Sequence, residues 1–235
     1  MEFRPLVLTQ ELVARKSFHL YRTDFQLAPL DKDELDIFNA QFPTLLAAPT
    51  SITREIQVQR VAAYISAIKA VKQALNGVAF RGLNPTDTEL GFQPIRPQFT
   101  HDPDTATYRV NWQELAVAAT WRDFIGAGGG APYTLGDDFG IVVTHLTSLV
   151  TPTPFISEMQ TDMGRTSLVP MSLRDITIGD NINGVAVYPI PTLLLLPKST
   201  WYMRVMCDVG GTLDLQPGGF VIGLGRVLNE IAATW

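Results

Sequence analysis

Apolar positions recur at helical spacing in one long stretch of the chain, residues 53–76. Ser51 or Thr53 can cap the first turn of this predicted helix, and Asn76 with Gly77 is a typical helix end. Its apolar face holds Val61, Tyr64, Ile65, Ile68, either Val71 or Lys72, and Leu75. A lone amphipathic helix needs a partner surface, which is either the chain's own sheet or a neighbouring subunit.

From residue 79 onward the pattern is that of short β-strands bounded by Gly, Pro, Asn or Asp. The predicted strands are 108–112, 139–146, 172–178, 185–188, 192–196, 201–209 and 220–228. Residues 114–125 fit either a short helix or a strand, and residues 126–132 form a flexible turn. Since no long helices alternate with these strands, the pattern favours an antiparallel β-sandwich or barrel over an α/β fold.

The pattern divides the chain into three parts of one structural domain. Residues 1–50 are predicted to be an extended N-terminal arm with edge elements, residues 51–78 the amphipathic helix, and residues 79–235 a β-sandwich. The arm has strand-like stretches at 3–8 and 17–27, and Asp31 can open a short acidic helix.

Composition narrows the class of protein. Apolar residues make up 46% of the chain, which excludes a disordered protein, and a net charge of -5 disfavours a general nucleic-acid binder. Only 17% of residues are charged, against about 25% in typical proteins. Of the 18 basic residues, 13 are arginine, which is typical either of protein interfaces or of GC-rich codon usage.

The sequence also gives an expectation for the cellular compartment in which the protein is made. It begins without a secretory signal pattern, and no stretch approaches the roughly 20 apolar residues of a membrane span. The single cysteine, Cys207, fits a reducing compartment and excludes a disulfide-stapled miniprotein. We expect synthesis in a cytosol and no membrane span.

No catalytic, cofactor-binding or metal-binding residue is predicted. His19, His101 and His145 lack a second His or Cys at metal-ligand spacing. His101 falls in a predicted turn and His145 on a predicted strand. Cys207 is expected to be a buried, unreactive thiol, because no nucleophile motif surrounds it.

The acidic and glycine-rich segments have ordinary structural interpretations. The pairs Asp102 with Asp104 and Asp137 with Asp138, and the acids at 31–34, stand in turn contexts and do not match a calcium loop. The glycines at 126–130 lack the lysine of a phosphate-binding loop. Gly223 and Gly225 lack a third glycine, and are predicted to lie on a strand where they allow a bulge.

The four tryptophans are spread along the chain. Core packing accounts for Trp112, Trp121 and Trp201, whereas Trp235 is predicted to need a surface to rest on, across a subunit boundary. Deletion of Trp235 is the test of that hypothesis.

The C-terminal third resembles a known class of protein. The run from Tyr188 to Val205, with an apolar strand, a Pro-bounded turn and a long strand, is followed after residues 213–219 by the closing segment 220–228. This order of strands and turns resembles the last strands of β-sandwich virion proteins of bacteriophages, including jelly-roll capsid proteins. The resemblance implies a jelly-roll-like fold and a structural role, with a short loop before the closing strand and no catalytic residues.

The sequence therefore predicts a self-assembling capsid subunit of a bacteriophage virion, without enzyme activity. Its expected partners are copies of itself and other virion proteins, without sequence-specific nucleic-acid binding, and no small-molecule ligand is identified. A vertex, connector or tail component is the next hypothesis. Two hypotheses of a different class stay open, a carbohydrate-binding β-sandwich using Trp112, Trp121 and Tyr108, and a hydrolase using an Asp/Glu pair.

Overall fold

The computed structural model describes residues 65–233, except for 83, 149–155, 164–165, 168–169, 174–177 and 181–184. The predictions for residues 1–50, for the first part of the helix and for Trp235 lie outside these described residues. Within them the chain is mainly β, with helix α1 at 65–74 and helix α2 at Gly225–Ala232. A single turn of 3₁₀-helix covers Pro97–Phe99.

The strands are numbered in chain order. They are β1 (Phe80–Gly82), β2 (Leu90–Pro94), β3 (His101–Asp102), β4 (Thr107–Tyr108), β5 (Gln113–Ala116), β6 (Trp121–Ile125), β7 (Tyr133–Thr134), β8 (Phe139–Ser148), β9 (Ile156–Met163), β10 (Thr166–Ser167), β11 (Met171–Ser172), β12 (Ile178–Asp180), β13 (Val185–Leu195), β14 (Thr200–Cys207) and β15 (Gly211–Leu224).

Two larger sheets hold most of these strands. The first has the order β1-β2-β15-β8-β13-β12, and β5 pairs with the first residues of β15. The second has the order β10-β9-β14-β6, with β11 beside β9 and β7 beside β14. Strands β3 and β4 form a separate hairpin. Apart from the parallel pair β1 and β2, neighbouring strands are antiparallel.

Eight strand positions form pairs that nest inside one another. In chain order these positions are β2, β6, β8, β9, β10 with β11, β13, β14 and β15. The first position pairs with the eighth, the second with the seventh, the third with the sixth and the fourth with the fifth. The chain is thus a long antiparallel double strand whose successive pairs alternate between the two sheets.

One apolar core takes side chains from both sheets. The first sheet contributes Ile141, Val143, Leu215 and Val221 among others, and the second contributes Phe124, Met159, Trp201 and Val205. These side chains are almost completely buried. Burial of this apolar surface is the main force that holds the two sheets together.

Helix α1 lies on the other face of the first sheet. Ile65, Ile68 and Val71 are buried, whereas Lys72 is half-buried, so Val71 takes the apolar position for which the sequence allowed either residue. A β-carbon at Gly140 would lie 3.0 Å from Val71 Cγ2, which places the helix against β8 of its own chain. The helix ends as predicted, because Asn76 and Gly77 have positive φ and the Gly77 N–H donates to Lys72 O at 2.6 Å.

The predicted strand at 108–112 is wrong beyond its first residue. Only Thr107–Tyr108 is extended and paired, and Val110 is 80% exposed. The side chain of Arg109 turns inward, and its guanidinium donates to Phe124 O at 2.8 Å and to Asn111 O at 3.2 Å. Satisfying this buried cation takes the local backbone out of a regular strand.

The ambiguous stretch 114–125 forms two strands, β5 and β6, and the turn predicted at 126–132 is present. The predicted strand 172–178 is instead divided between the sheets. Its start, in β11, pairs with β9, and its end, in β12, pairs with β13. The two ends of this predicted strand therefore belong to different sheets.

The last third also departs from the prediction. The predicted strands 185–188 and 192–196 form, apart from residue 196, one strand, β13, whose register is irregular between Pro189 and Leu193. The predicted loop 213–219 is part of β15, which is 14 residues long. That strand ends at Leu224 and gives way to α2, so the predicted strand 220–228 is wrong in its second half. Leu228 of α2 is buried in the core, with Val227 and Ile231 packed beside it.

Candidate assembly surface

A buried ion-pair cluster lies under the short strand β5. Arg109 is 2% exposed and Glu114 is 7% exposed, and the guanidinium of Arg109 donates to Glu114 Oε1. The same guanidinium lies over the ring of Phe124, 4.5 Å from its centroid. Arg109 therefore has a carboxylate, two carbonyl oxygens and an aromatic face as partners.

Glu114 also binds a second arginine. Its Oε2 accepts from Arg122 Nε at 3.1 Å and from Arg122 Nη2 at 2.7 Å. Arg122 in turn pairs with Asp104 in the turn between β3 and β4. Glu114 thus ties β5 to β6 and to the β3–β4 hairpin.

Burial lowers the pKa of Arg109, and the nearby carboxylate of Glu114 opposes that shift. Because an arginine stays charged in any case, the buried cation depends chiefly on Glu114, with a smaller contribution from Asp102, for its neutralisation. The carboxylate of β5 is therefore a structural requirement of the fold at this point.

The opposite side of β5 carries an exposed apolar patch. Along the strand, burial alternates, with Glu114 and Ala116 buried and Gln113 and Leu115 exposed. We define the β5 patch as Leu115, Val117 and Val209, which are 70%, 61% and 60% exposed. Exposed apolar residues on neighbouring segments make this region a candidate interaction surface.

The three residues of the β5 patch lie on β5 and on the connections that follow β5 and β14. Leu115 stands opposite Thr212 in the pairing of β5 with β15. A β-carbon on Gly210 would lie 3.8 Å from Val117 Cα, so the connection before β15 runs beside the one after β5. The Ala119 N–H donates to Cys207 O at 2.8 Å, which fixes the connection after β5 to the end of β14.

The surroundings of the β5 patch carry no formal charge over two stretches of chain. Residues 115–121 and 209–213 contain no Asp, Glu, Lys or Arg. The sequence did not single out these residues, nor Arg109, Glu114 and Arg122. The feature of the sequence that could have indicated the β5 patch is the uncharged run that begins at Leu115. It lies in the segment 114–125, for which the sequence allowed either a helix or a strand.

The two described histidines lie on separate sheets. His101 is on β3, not in the turn predicted for it, and its ring stacks on Tyr133 with centroids 4.8 Å apart. Burial lowers the pKa of His101. His145 is buried on β8, as a strand residue, while His19 lies outside the described residues. Among the described residues no group of three or more His, Cys, Asp or Glu side chains could hold a metal ion.

Cys207 is buried at the end of β14, as expected. Burial, with a smaller contribution from Asp208, raises the pKa of its thiol to about 11. The reactive thiolate is therefore scarce at neutral pH, and the sulfur is also shielded from reagents.

We expect Cys207 of the native protein to be unreactive toward a thiol-specific reagent at pH 8, and to react fully once urea unfolds the chain. Release of the coloured product from such a reagent, followed with and without urea, measures this difference. Rapid and complete reaction of the native protein would contradict the placement of Cys207 in the core.

The aromatic residues proposed for carbohydrate binding do not share one exposed face. Trp112 is 8% exposed and stacks on Phe124 in the core. Trp121 is half-buried under the guanidinium of Arg204, and Tyr108 is 55% exposed on the separate hairpin. Trp112 is thus unable to present its ring to a ligand. The carbohydrate-binding hypothesis requires exposed aromatic rings, and Trp112 does not supply one.

Asp104, Asp137 and Asp138 lie in turns, as predicted, whereas Asp102 is the last residue of β3. The Asp104 N–H donates to Asp102 Oδ1 at 2.8 Å, and Asp137 forms an exposed ion pair with Lys198. Asp104 and Glu114 come close to each other, but both bind Arg122. Both carboxylates are therefore already engaged by one guanidinium and do not face each other as a free acid pair.

No helix among the described residues is long and apolar enough to cross a membrane. Comparison with protein-family models, curated proteins and solved structures found no match to this chain.

Proposed function

We propose that this chain is a virion structural subunit of a bacteriophage, folded as a jelly-roll β-sandwich that assembles with further copies of itself. A capsid position is the leading assignment, and a vertex, connector or tail position comes next. The subunit contributes shape and contacts to the particle and carries out no chemistry.

The observation that carries this proposal is the nested strand pairing. Eight strand positions pair first with eighth, second with seventh, third with sixth and fourth with fifth. Two antiparallel sheets built from two interlocked Greek keys are the jelly-roll arrangement, which is found in viral capsid and lectin domains. The lectin alternative is weakened by the burial of Trp112.

The surface supports the same proposal. Only 17% of the residues are charged, and the β5 patch exposes three large apolar side chains in an uncharged setting. Surfaces that are buried in assemblies are depleted of charge at their centres. Copies of the chain and other virion proteins are the proposed partners, with synthesis in the host cytoplasm and residence in the virion.

Assembly of the purified full-length chain tests the proposal. We expect light scattering to show a mass that increases with protein concentration, and electron microscopy to show closed, symmetric particles or rings of uniform size. Where the chain needs another virion protein to assemble, mixing with lysate fractions of a producing host should give the same particles. A strict monomer in all these conditions would overturn the proposed function.

A further inference from the structure

We propose that the β3–β4 hairpin is a pH-sensitive element, which stays packed on β7 while the ring of His101 is neutral and comes away when that ring takes up a proton. Opening uncovers one face of the Tyr133 ring, which is 3% exposed in the packed state. The inference goes beyond the proposed function, because this change takes place within one folded chain.

The first argument is the packing of the His101 ring between two aromatic rings. It stacks on Tyr133 of β7, with the planes 11° apart and the centroids 4.8 Å apart. Tyr108 of β4 meets it edge-on, with the centroids 4.6 Å apart. The hydroxyl of Tyr133 donates to Phe99 O at 3.2 Å, which holds the lower ring in place. The imidazole of His101 therefore joins the hairpin to β7.

The second argument is a buried ring nitrogen without a partner. Among the described residues, Nδ1 of His101 has no hydrogen-bond partner. A neutral imidazole can leave this nitrogen unprotonated, whereas an imidazolium carries a proton on both nitrogens. A buried N–H donor of a charged group is costly when it lacks an acceptor, and in an open hairpin the same donor binds water. Protonation therefore favours the open hairpin.

The acids of the hairpin itself are already engaged. The Asp102 carboxylate accepts the Asp104 N–H at 2.8 Å and attracts the guanidinium of Arg109. The Asp104 carboxylate pairs with Arg122 of β6. Neither carboxylate is therefore left to neutralise a charged His101.

The elements around the hairpin do not supply a counter-charge either. On β6, the Asp123 carboxylate accepts from the hydroxyl of Tyr202, and the turn 126–132 contains no charged residue. Burial raises the pKa of Tyr133 well above its usual value, so this ring stays a neutral phenol. The face of a tyrosine attracts a cation, but burial has the larger effect and lowers the pKa of His101.

The direction of the pH effect follows from these contacts. The pKa of His101 is lowered by burial in the packed hairpin and returns to its ordinary value of about 6.5 in the open one. The open hairpin then binds more protons, so the packed hairpin loses stability as the pH falls below about 6.5. At about pH 5.5 the open population rises by at most about tenfold, because that pH is one unit below the ordinary pKa.

Amide hydrogen exchange of the full chain tests the proposal, with rates corrected for the intrinsic effect of pH. The reporting amides donate to carbonyl oxygens of residues 100–102, and they are Ala106, Arg109 and Gly126. Between about pH 7.5 and about pH 5.5, we expect their protection to fall by about three- to tenfold. The protection of β8, which lies in the other sheet, should stay the same.

Two variants identify the group that titrates. His101→Phe keeps an aromatic ring at this position but takes up no proton, so its hairpin amides should be equally protected at both pH values. His145→Gln removes an imidazole from β8 and should keep the full pH effect at the hairpin. An undiminished pH effect in His101→Phe would overturn the proposal, and so would its loss in His145→Gln alone.

The unaltered chain gives a second readout, which does not depend on the folding of a variant. Exchange of the imidazole Cε1 hydrogen, resolved by mass spectrometry of peptides, reports the pKa of each histidine. We expect His101 to titrate at a lower pH in the native chain than in urea, and equal midpoints would contradict the proposal. Neither readout requires association, so a chain that stays monomeric refutes the proposed function and leaves this inference open to its own test.

Discussion

Replacement of Glu114 by alanine is expected to lower the free energy of unfolding by about 3–5 kcal/mol, since it leaves a buried arginine without its counter-charge. Arg109 is 2% exposed, and two of its remaining polar partners are carbonyl oxygens, which do not neutralise a cation. Arg122 would lose the same carboxylate but can turn to solvent and keep Asp104. Urea titration of the variant, followed by tryptophan fluorescence, measures the loss.

A surface ion pair is the matched control for this substitution. Asp137 and Lys198 are 3.2 Å apart and about two-thirds exposed. Asp137→Ala should therefore cost less than about 1 kcal/mol, because water screens and replaces the interaction. In the double variant Arg109→Met with Glu114→Leu, the loss should be smaller than the sum of the single losses, since both the buried cation and its carboxylate are removed together. Equal, small effects of Glu114→Ala and Asp137→Ala would contradict the buried cluster.

Substitution of Gly219 by alanine is expected to cost at least about 4 kcal/mol, the range reserved for severe steric conflicts. Gly219 has a φ of +155°, and a β-carbon at this position would overlap Val142 O on the paired strand β8. Relief requires β15 to move away from β8 at the break in register between Gly218 and Gly219. The steric conflict thus lies between β15 and its neighbour β8 in the first sheet.

Gly129→Ala separates the steric conflict from backbone strain. Gly129 also has positive φ, +59°, but a β-carbon there has nothing within 4 Å. We expect this control to cost about 1–2 kcal/mol, the penalty of a left-handed backbone alone. Thermal unfolding of both variants measures the difference, and a Gly219→Ala protein as stable as Gly129→Ala would refute the close approach of β15 to Val142.

Local patterns in the sequence were enough for several elements. The apolar spacing around Ile68 and the Asn76–Gly77 end predicted the described part of α1, and the β-branched run at 139–146 predicted β8. These elements bury their side chains in the way that their own periodicity dictates. The mainly β class follows from the same short-range signals, and so does the burial of Cys207.

Other features depend on residues far apart in the chain. Arg109 looked like part of an alternating strand, but its partners Glu114 and Phe124 decide the local backbone. The segment 213–219 looked like a loop because of Pro217 and its glycines, yet it pairs with β5 and β8. Tertiary pairing overrides local propensity at such places. The uncharged run that begins at Leu115 is visible in the sequence, but the exposure of the β5 patch is a property of the folded surface and could not be predicted.

The role of β15 has a consequence for the order of events during synthesis. Ile222 pairs with Phe92, and Leu213 pairs with Glu114, so β15 is the partner of two strands that the ribosome produces much earlier. Contacts between such distant segments form late and slowly. On a nascent chain, β5 stays without its neighbour until translation has passed residue 214. The pairing of β2 and β5 is therefore completed only when their late partner β15 has been made, so this side of the first sheet is among the last parts of the described fold to form.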